Sequence, residues 1–123
     1  MQPMHKPEIF VSIDQQILEL REPGVPVARW SVSTALKGAG CAAGSYQTPL
    51  GRHRIRARIG AGQPLNTVFR GRRPTGEIYS DAVGREFPGR DWILTRILWL
   101  CGEEKGFNRG GSVDSQRRYI YIH

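Results

Sequence analysis

The sequence has few of the features that mark several large classes of protein. Its two cysteines, Cys41 and Cys101, are too few for a disulfide framework, and their spacing fits no metal-binding motif. The first residues contain no apolar core of signal-peptide length. The longest apolar stretch, residues 92–101, is interrupted by Thr95 and Arg96 and is too short to cross a membrane as a helix. The sequence therefore predicts no disulfide scaffold, no metal site, no secretory signal and no membrane span.

What is present is the composition of one globular domain with many short connections. The 123 residues are 39% apolar and 24% charged, and no repeat, low-complexity tract or linker divides them. The 15 glycines and eight prolines are scattered, which favours a strand-rich fold. The net charge is +7, and most of the cations are arginines. Such a surface attracts nucleic acid, acidic lipid headgroups or a carboxylate-bearing substrate, although an ordinary solvated surface carries the same charge.

Alternating apolar residues predict β-strands along most of the chain. The predicted strands cover residues 8–13, 17–20, 27–34, 52–59, 67–70, 77–80, 92–100 and 117–123. The first three form a meander, and the small residues 37–45 form a loop without a phosphate-binding motif. Residues 81–90 are interpreted as irregular. Residues 92–100 are apolar nearly all round and fit a strand buried on both faces, with a short helix as the alternative that periodicity leaves open.

The strand over residues 52–59 carries an arginine at every second position. Alternation places Arg52, Arg54, Arg56 and Arg58 on one face, which is either solvated or meets an anion. His53 falls on the apolar face, where a packed and hydrogen-bonded histidine is expected.

The last seven residues predict the most suggestive element of the chain. An extended strand over residues 117–123 places Tyr119, Tyr121 and His123 on one face. Ile120 and Ile122 occupy the opposite, buried face. Two phenols and an imidazole on the exposed side of a strand form a candidate site.

Four segments together resemble the YkuD-type L,D-transpeptidase domain of bacterial cell-wall enzymes. They are Val11–Gln16, Trp30–Thr34, Tyr46–His53 and Arg118–His123. The third contains Thr48-Pro49-Leu50-Gly51, similar to the family's Thr-Pro-x-Gly turn, and the fourth is similar to its strand that ends in His-Gly. The resemblance extends over essentially the whole chain. It implies a mainly β fold of twisted, sandwich-like sheets with little helix.

The resemblance also implies a reaction, in which a cysteine attacks a peptidoglycan stem peptide and the acyl group then passes to an amine of a neighbouring stem. His123 matches the histidine that activates the cysteine, and Tyr119 and Tyr121 are expected to line the substrate pocket. No metal or cofactor is implied. The family's nucleophile lies in a Ser/Thr-His-Gly-Cys motif that residues 1–123 do not contain, and neither Cys41 nor Cys101 matches its position.

These points lead to an expectation about the form of the protein. By resemblance, residues 1–123 are a single domain, incomplete at its C-terminus and inactive, that belongs to the periplasm or cell envelope. The edge near residues 119–123 is expected to promote self-association.

Two other functions fit the charge. One is a binding domain for anions or cell-wall glycans that has the fold without the chemistry. The other is nucleic-acid binding through the arginines, which is disfavoured because no aromatic residues interleave them on the 52–59 strand.

Overall fold

The computed structural model describes residues 6–23 and 25–123. Within them, nine β-strands form three antiparallel three-stranded sheets. The strands are β1 (Glu8–Ser12), β2 (Ile17–Glu22), β3 (Val25–Ser31), β4 (His53–Ile59), β5 (Thr67–Arg70), β6 (Arg73–Ile78), β7 (Ile93–Leu94), β8 (Ile97–Gly102) and β9 (Tyr121–Ile122). One α-helix, α1 (Asp81–Glu86), and a 3-10 turn at Gly111–Val113 complete the described elements. The predicted mainly β fold with little helix is confirmed.

The first sheet is the predicted meander, in the order β1–β2–β3. Val11 pairs with Leu18, and Leu18 with Trp30, so their side chains form an apolar row on one face. On the other face Glu19 is buried between two arginines, Arg21 and Arg29, and forms ion pairs with both.

The second sheet, in the order β4–β8–β9, contains a β-bulge that the sequence pattern does not reveal. Ile55 pairs with Leu100 and Ala57 pairs with Trp99, so Arg56 has no partner on β8. The extra residue reverses the alternation of β4. Ile55 and Ala57 therefore lie on opposite faces of the sheet.

The prediction that the arginines of this strand share one face is consequently wrong. Arg54 pairs with Cys101 and Arg58 pairs with Leu98. Positions 101 and 98 project from opposite faces of β8, and the two arginines follow their partners. The bulge thus divides the predicted arginine stripe between the two sides of the sheet.

The third sheet has the order β6–β5–β7, and its strand β7 is one part of the strand predicted over residues 92–100. That strand is correct in type but wrong in extent, because Thr95 adopts a left-handed backbone conformation (φ 67°) between β7 and β8. Two hydrogen bonds hold this corner: Thr95 N donates to Thr67 O (2.8 Å), and Asn66 N donates to Thr95 Oγ1 (3.1 Å). One apolar run therefore supplies strands to two different sheets.

The helix α1 corrects the interpretation of residues 81–90 as irregular. The Ser80 hydroxyl accepts a hydrogen bond from Val83 N (3.3 Å) and caps the helix. Six residues with Gly84 among them make too short a segment for a helical period to be visible in the sequence.

The interior of the described chain is small. The buried apolar side chains are Leu18, Val68, Phe69, Ile97 and Cys101, and the buried polar ones are Glu19, Thr67, Asn108 and Ser115. Among residues 6–23 and 25–123, no helix is long and apolar enough to cross a membrane.

Candidate functional site

The closing segment forms a turn followed by a very short strand. Arg118 N donates to Asp114 O (3.0 Å), and Tyr119, in a left-handed conformation (φ 55°), donates its N–H to Gln116 O (3.1 Å). The Asp114 carboxylate also accepts from Arg117 N (3.0 Å). Hydrogen bonds from Arg117 and then Gly110 hold the pKa of this carboxyl below its usual value. Local hydrogen bonds of this kind compete with sheet pairing, so the predicted strand over residues 117–123 is limited to two residues.

The two predicted tyrosines are nevertheless brought together, each in contact with the Trp99 ring. The Tyr119 ring stacks on Trp99 with centroids 6.1 Å apart, and the Tyr121 ring meets it edge-on at 6.4 Å. Tyr121 pairs with Trp99 across the two strands. The Trp99 indole donates Nε1–H to Gln116 O (3.1 Å), which fixes its orientation. We call the three rings the aromatic cluster.

Arg72 is the cation of this cluster, and no pattern in the sequence points to it. Its guanidinium carbon lies 4.8 Å from the centre of the Trp99 ring and 4.9 Å from that of Tyr119. Its Nη1 donates to the Tyr121 hydroxyl (3.2 Å), a bond that raises the pKa of Arg72 above its usual value. The guanidinium is charged at neutral pH, as that of any arginine is. In the sequence Arg72 belongs to a basic turn, and nothing local indicates its distant aromatic partners.

A second arginine approaches the same indole from the bulge of β4. The guanidinium carbon of Arg56 lies 5.5 Å from the centre of the Trp99 ring. The bulge puts Arg56 there, since regular alternation would have kept it in line with the other arginines of the strand. The aromatic cluster thus has two cations at its surface, a combination that suits a carboxylate-bearing ligand.

His123 follows β9 directly and is exposed. Ile122 pairs with Leu98, so His123 comes level with Ile97 at the beginning of β8. Cys101 lies four positions further along β8, about 13 Å away along an extended strand. The other thiol, Cys41, lies against Leu50, with its Sγ 3.9 Å from the Leu50 carbonyl oxygen.

The Thr-Pro-Leu-Gly turn is tied down by a buried asparagine. Asn108, fully buried, donates from Nδ2 to Leu50 O and Arg52 O (both 3.0 Å) and accepts at Oδ1 from Glu104 N (2.9 Å). Gly51 adopts φ 90°, and a Cβ at this position would overlap the Glu104 carboxylate. The turn therefore requires glycine here. The role of Asn108 was not visible in the sequence, because the two carbonyls that it binds in the turn are more than 50 positions away.

Two side chains connect this turn to the closing segment. His53 lies with Nδ1 3.1 Å from Gly51 O and Nε2 2.8 Å from Ser115 Oγ. Since a carbonyl only accepts, the neutral ring carries its proton on Nδ1 and accepts at Nε2 from the Ser115 hydroxyl. Arg118 reaches across to donate from Nη2 to Gln47 O (2.7 Å). The expectation that His53 is packed and hydrogen-bonded is confirmed.

Metal binding has no visible basis in this region. Within the described part of the chain, no group of three or more His, Cys, Asp or Glu side chains is arranged to hold a metal ion.

The described residues form a small, mainly β domain. In its sheet β4–β8–β9, the Thr-Pro-Leu-Gly turn lies at the end where β4 begins, and the exposed His123 lies at the opposite end, with the aromatic cluster and its two arginines between them. The family model described as the L,D-transpeptidase catalytic domain matches residues 6–123, and the chain belongs to this YkuD family. No curated protein and no solved structure matches the chain.

Proposed function

We propose that this domain serves acyl transfer on peptidoglycan stem peptides, with His123 as the general base and with Tyr119 and Tyr121 as the wall of the substrate site. Membership of the L,D-transpeptidase family supports the reaction class. The observation that carries the assignment of residues is the aromatic cluster around the charged Arg72, whose member Tyr121 lies on β9, the strand that leads directly to His123. Stem peptides carry free carboxylates, which a permanently charged guanidinium attracts.

The chemistry of this proposal starts with a thiol. The His123 imidazole takes the proton of a cysteine Sγ, and the thiolate attacks the carbonyl carbon of the third stem residue. The bond to the fourth residue breaks, and its amine leaves with a proton from the imidazolium. An amine from a neighbouring stem then attacks the thioester carbon and gives a proton to the imidazole, the carbon–sulfur bond breaks, and the cross-link forms with the thiolate and the imidazolium restored.

We also infer that residues 1–123 alone do not complete this reaction. Cys101 is 5% exposed and lies well along β8 from the level of His123, and Cys41 packs against the Thr-Pro-Leu-Gly turn. Neither thiol is suited to give its proton to His123. Without a paired thiol the imidazole has nothing to activate.

A binding measurement tests the proposed substrate site. Calorimetry with disaccharide-tetrapeptide should give a measurable affinity that falls about tenfold, or about 1.4 kcal/mol, in Arg72→Gln. Tyr121→Phe, which removes the hydroxyl that Arg72 contacts, should lower it less. Arg73→Gln is the matched control, since Arg73 is exposed and neighbours Arg72 in sequence. Equal affinities for the three variants and the unmodified chain would refute the assignment.

The inactivity is tested with the same substrate. Neither released D-alanine nor cross-linked dimer should accumulate when the 123-residue chain is incubated with disaccharide-tetrapeptide. Turnover above the buffer blank would overturn this part of the proposal and would make Cys41 or Cys101 the candidate nucleophile.

A second candidate function is binding to cell-wall polymer without catalysis. The unsuitable positions of both thiols favour it. Retention of the chain on insoluble peptidoglycan, together with absence of turnover when a thiol-bearing partner domain is added, would support it. Either function belongs to the periplasm or cell envelope, which we propose as the location.

Self-association through β9 is the remaining part of the proposal. β9 is an edge strand of its sheet, and edge strands offer unpaired backbone groups to another chain. Sedimentation velocity should detect dimers whose fraction rises with concentration, whereas a monomer at all concentrations would contradict this.

A further inference from the structure

A second cleft lies away from the aromatic cluster, between α1 and the beginning of β7. Its volume is about 430 Å³. It is lined by Tyr79, Asp81, Gly84, Arg85, Pro88 and Trp92. None of these residues contacts the Trp99 rings, and none has a role in the function proposed above.

Two aromatic rings in the cleft contact each other, and one of them is held in place by a neighbouring ion pair. Tyr79 and Trp92 meet edge-on with centroids 5.2 Å apart. The guanidinium carbon of Arg90 lies 4.3 Å from the centre of the Trp92 ring, and Arg90 donates to both oxygens of Glu77 (2.7 and 3.0 Å). The bidentate pair fixes the cation, and the cation in turn fixes the indole. The aromatic part of the cleft is therefore formed before any ligand arrives.

The polar groups of the cleft have no partners of their own within the described chain. The Trp92 indole N–H, the Tyr79 hydroxyl and the side chains of Asp81 and Arg85 form no hydrogen bond to any residue in 6–23 or 25–123. The Trp99 indole, in contrast, donates to a backbone carbonyl. The cleft thus offers two donors, a carboxylate acceptor and a hydroxyl beside a preformed aromatic pair.

We propose that this cleft binds an N-acetylated amino-sugar unit of a cell-wall glycan, an inference that rests on the peptidoglycan function proposed above. A sugar ring presents apolar C–H groups to aromatic side chains and hydroxyls to polar ones. The cleft contains both a carboxylate and a guanidinium, so a neutral ligand that donates and accepts matches it better than an anion, which would meet Asp81. The acetamido group supplies a carbonyl acceptor for Arg85 or the Trp92 N–H.

Gly84 provides a way to close the cleft without disturbing the helix. A Cβ at this position would overlap the Tyr79 hydroxyl and displace the Tyr79 ring, whereas alanine suits the helical backbone better than glycine. Arg85→Ala removes an exposed side chain and should leave the fold intact. Arg117→Ala is the matched control, since Arg117 is also exposed and lies outside the cleft.

The experiment is a nuclear magnetic resonance titration of the ¹⁵N-labelled chain with chitotetraose, a peptide-free tetramer of N-acetylglucosamine. The chain has three indole signals, those of Trp30, Trp92 and Trp99. The Trp92 signal should shift and the other two should not. The affinity should fall about tenfold in Gly84→Ala and about fivefold in Arg85→Ala, and stay unchanged in Arg117→Ala.

Three results would overturn the inference: an unmoved Trp92 signal, affinities insensitive to both cleft variants, or an equal response to cellotetraose, which lacks the acetamido groups. A parallel titration with a sugar-free stem tetrapeptide separates this inference from the proposed function. That peptide should move the Trp99 signal and leave Trp92 in place. A peptide response without a glycan response refutes only the cleft, and a glycan response without a peptide response refutes only the substrate site at His123.

Discussion

The strands of the sheet β1–β2–β3 mix polar residues with apolar ones, whereas β8, the central strand of the sheet β4–β8–β9, is apolar nearly throughout. Large apolar side chains on the outer strands of the first sheet are accordingly more exposed than those of β8. In the first sheet Phe10 and Trp30 are 46% and 53% exposed. In the second, Ile97 is fully buried and Cys101 is 5% exposed. The first sheet is stabilised mainly by pairing among its own strands and by the ion pairs of Glu19.

The second sheet gains its order from loops that return to it. Both Asn108 and Ser115 are fully buried: Asn108 binds the backbone just before β4 at Leu50 and Arg52, and Ser115 connects the closing segment to His53 of β4. The comparison shows that the order of a sheet depends on polar side chains from distant loops as well as on the pattern of its own strands.

The largest effect should come from the interior of the second sheet. Ile97→Ala removes a fully buried side chain and should lower the free energy of unfolding by about 3 kcal/mol, because it leaves a cavity. Ile9→Ala on the first sheet, where the side chain is 39% exposed, should cost about 1 kcal/mol or less. Urea unfolding followed by circular dichroism measures both. Equal losses would remove the contrast between the two sheets.

The next effect should come from the buried asparagine. Asn108→Ala leaves Leu50 O, Arg52 O and Glu104 N without their partner and should lower the free energy of unfolding by about 2 kcal/mol. Gln15→Ala, at an exposed position on the first hairpin, is the control and should change little. If the two variants unfold at the same urea concentration, the loops do not stabilise the second sheet as described.

The ion pairs of the first sheet should make its stability depend on pH. Hydrogen bonds from Arg21 and then Arg29 lower the pKa of Glu19, so its stabilising contribution is present above the ordinary glutamate pKa and is lost as the pH falls through the lowered value. The urea midpoint should therefore decline from neutral pH to about pH 3, and Glu19→Gln should flatten this part of the decline. Glu22→Gln, which has an exposed carboxylate, should leave the profile unchanged. If Glu19→Gln does not alter the dependence of the urea midpoint on pH, these ion pairs contribute nothing to the stability of the fold.

The smallest effect should come from Trp30, an exposed member of the apolar row of the first sheet. Trp30→Ser should change the free energy of unfolding by less than about 0.5 kcal/mol, because the side chain is already half in solvent. Thermal unfolding at several protein concentrations checks this. If the stability lost in Trp30→Ser grows with protein concentration, a second copy of the chain covers this face. The first sheet would then be buried in the dimer, as the second sheet is within one chain.

The parts of the fold that the sequence predicts are those set by local pattern. The β1–β2 hairpin and its turn lie within two residues of their predicted bounds, and the β-strand class of residues 92–100 is correct. The bulge at Arg56 was not predictable from its neighbours, since the alternation there is unbroken in the sequence. The corner at Thr95 depends on a hydrogen bond to Thr67, almost 30 residues away.

The candidate site divides in the same way. The pattern of the closing segment identified Tyr119 and Tyr121, although a turn and not one strand brings them to the same indole. The sequence pattern did not identify Arg72, Trp99 or Asn108, because their contacts bring together distant parts of the chain. The role of His123 stays a prediction.

The account depends most on whether a stem peptide meets His123 beside the aromatic cluster. Titrating the chain with disaccharide-tetrapeptide while recording the imidazole signals of its histidines tests this directly. The signals of His123 should shift with the Trp99 indole, and those of His53, which is hydrogen-bonded to Ser115, should remain. Shifts confined to His53, or at neither ring, would contradict the account.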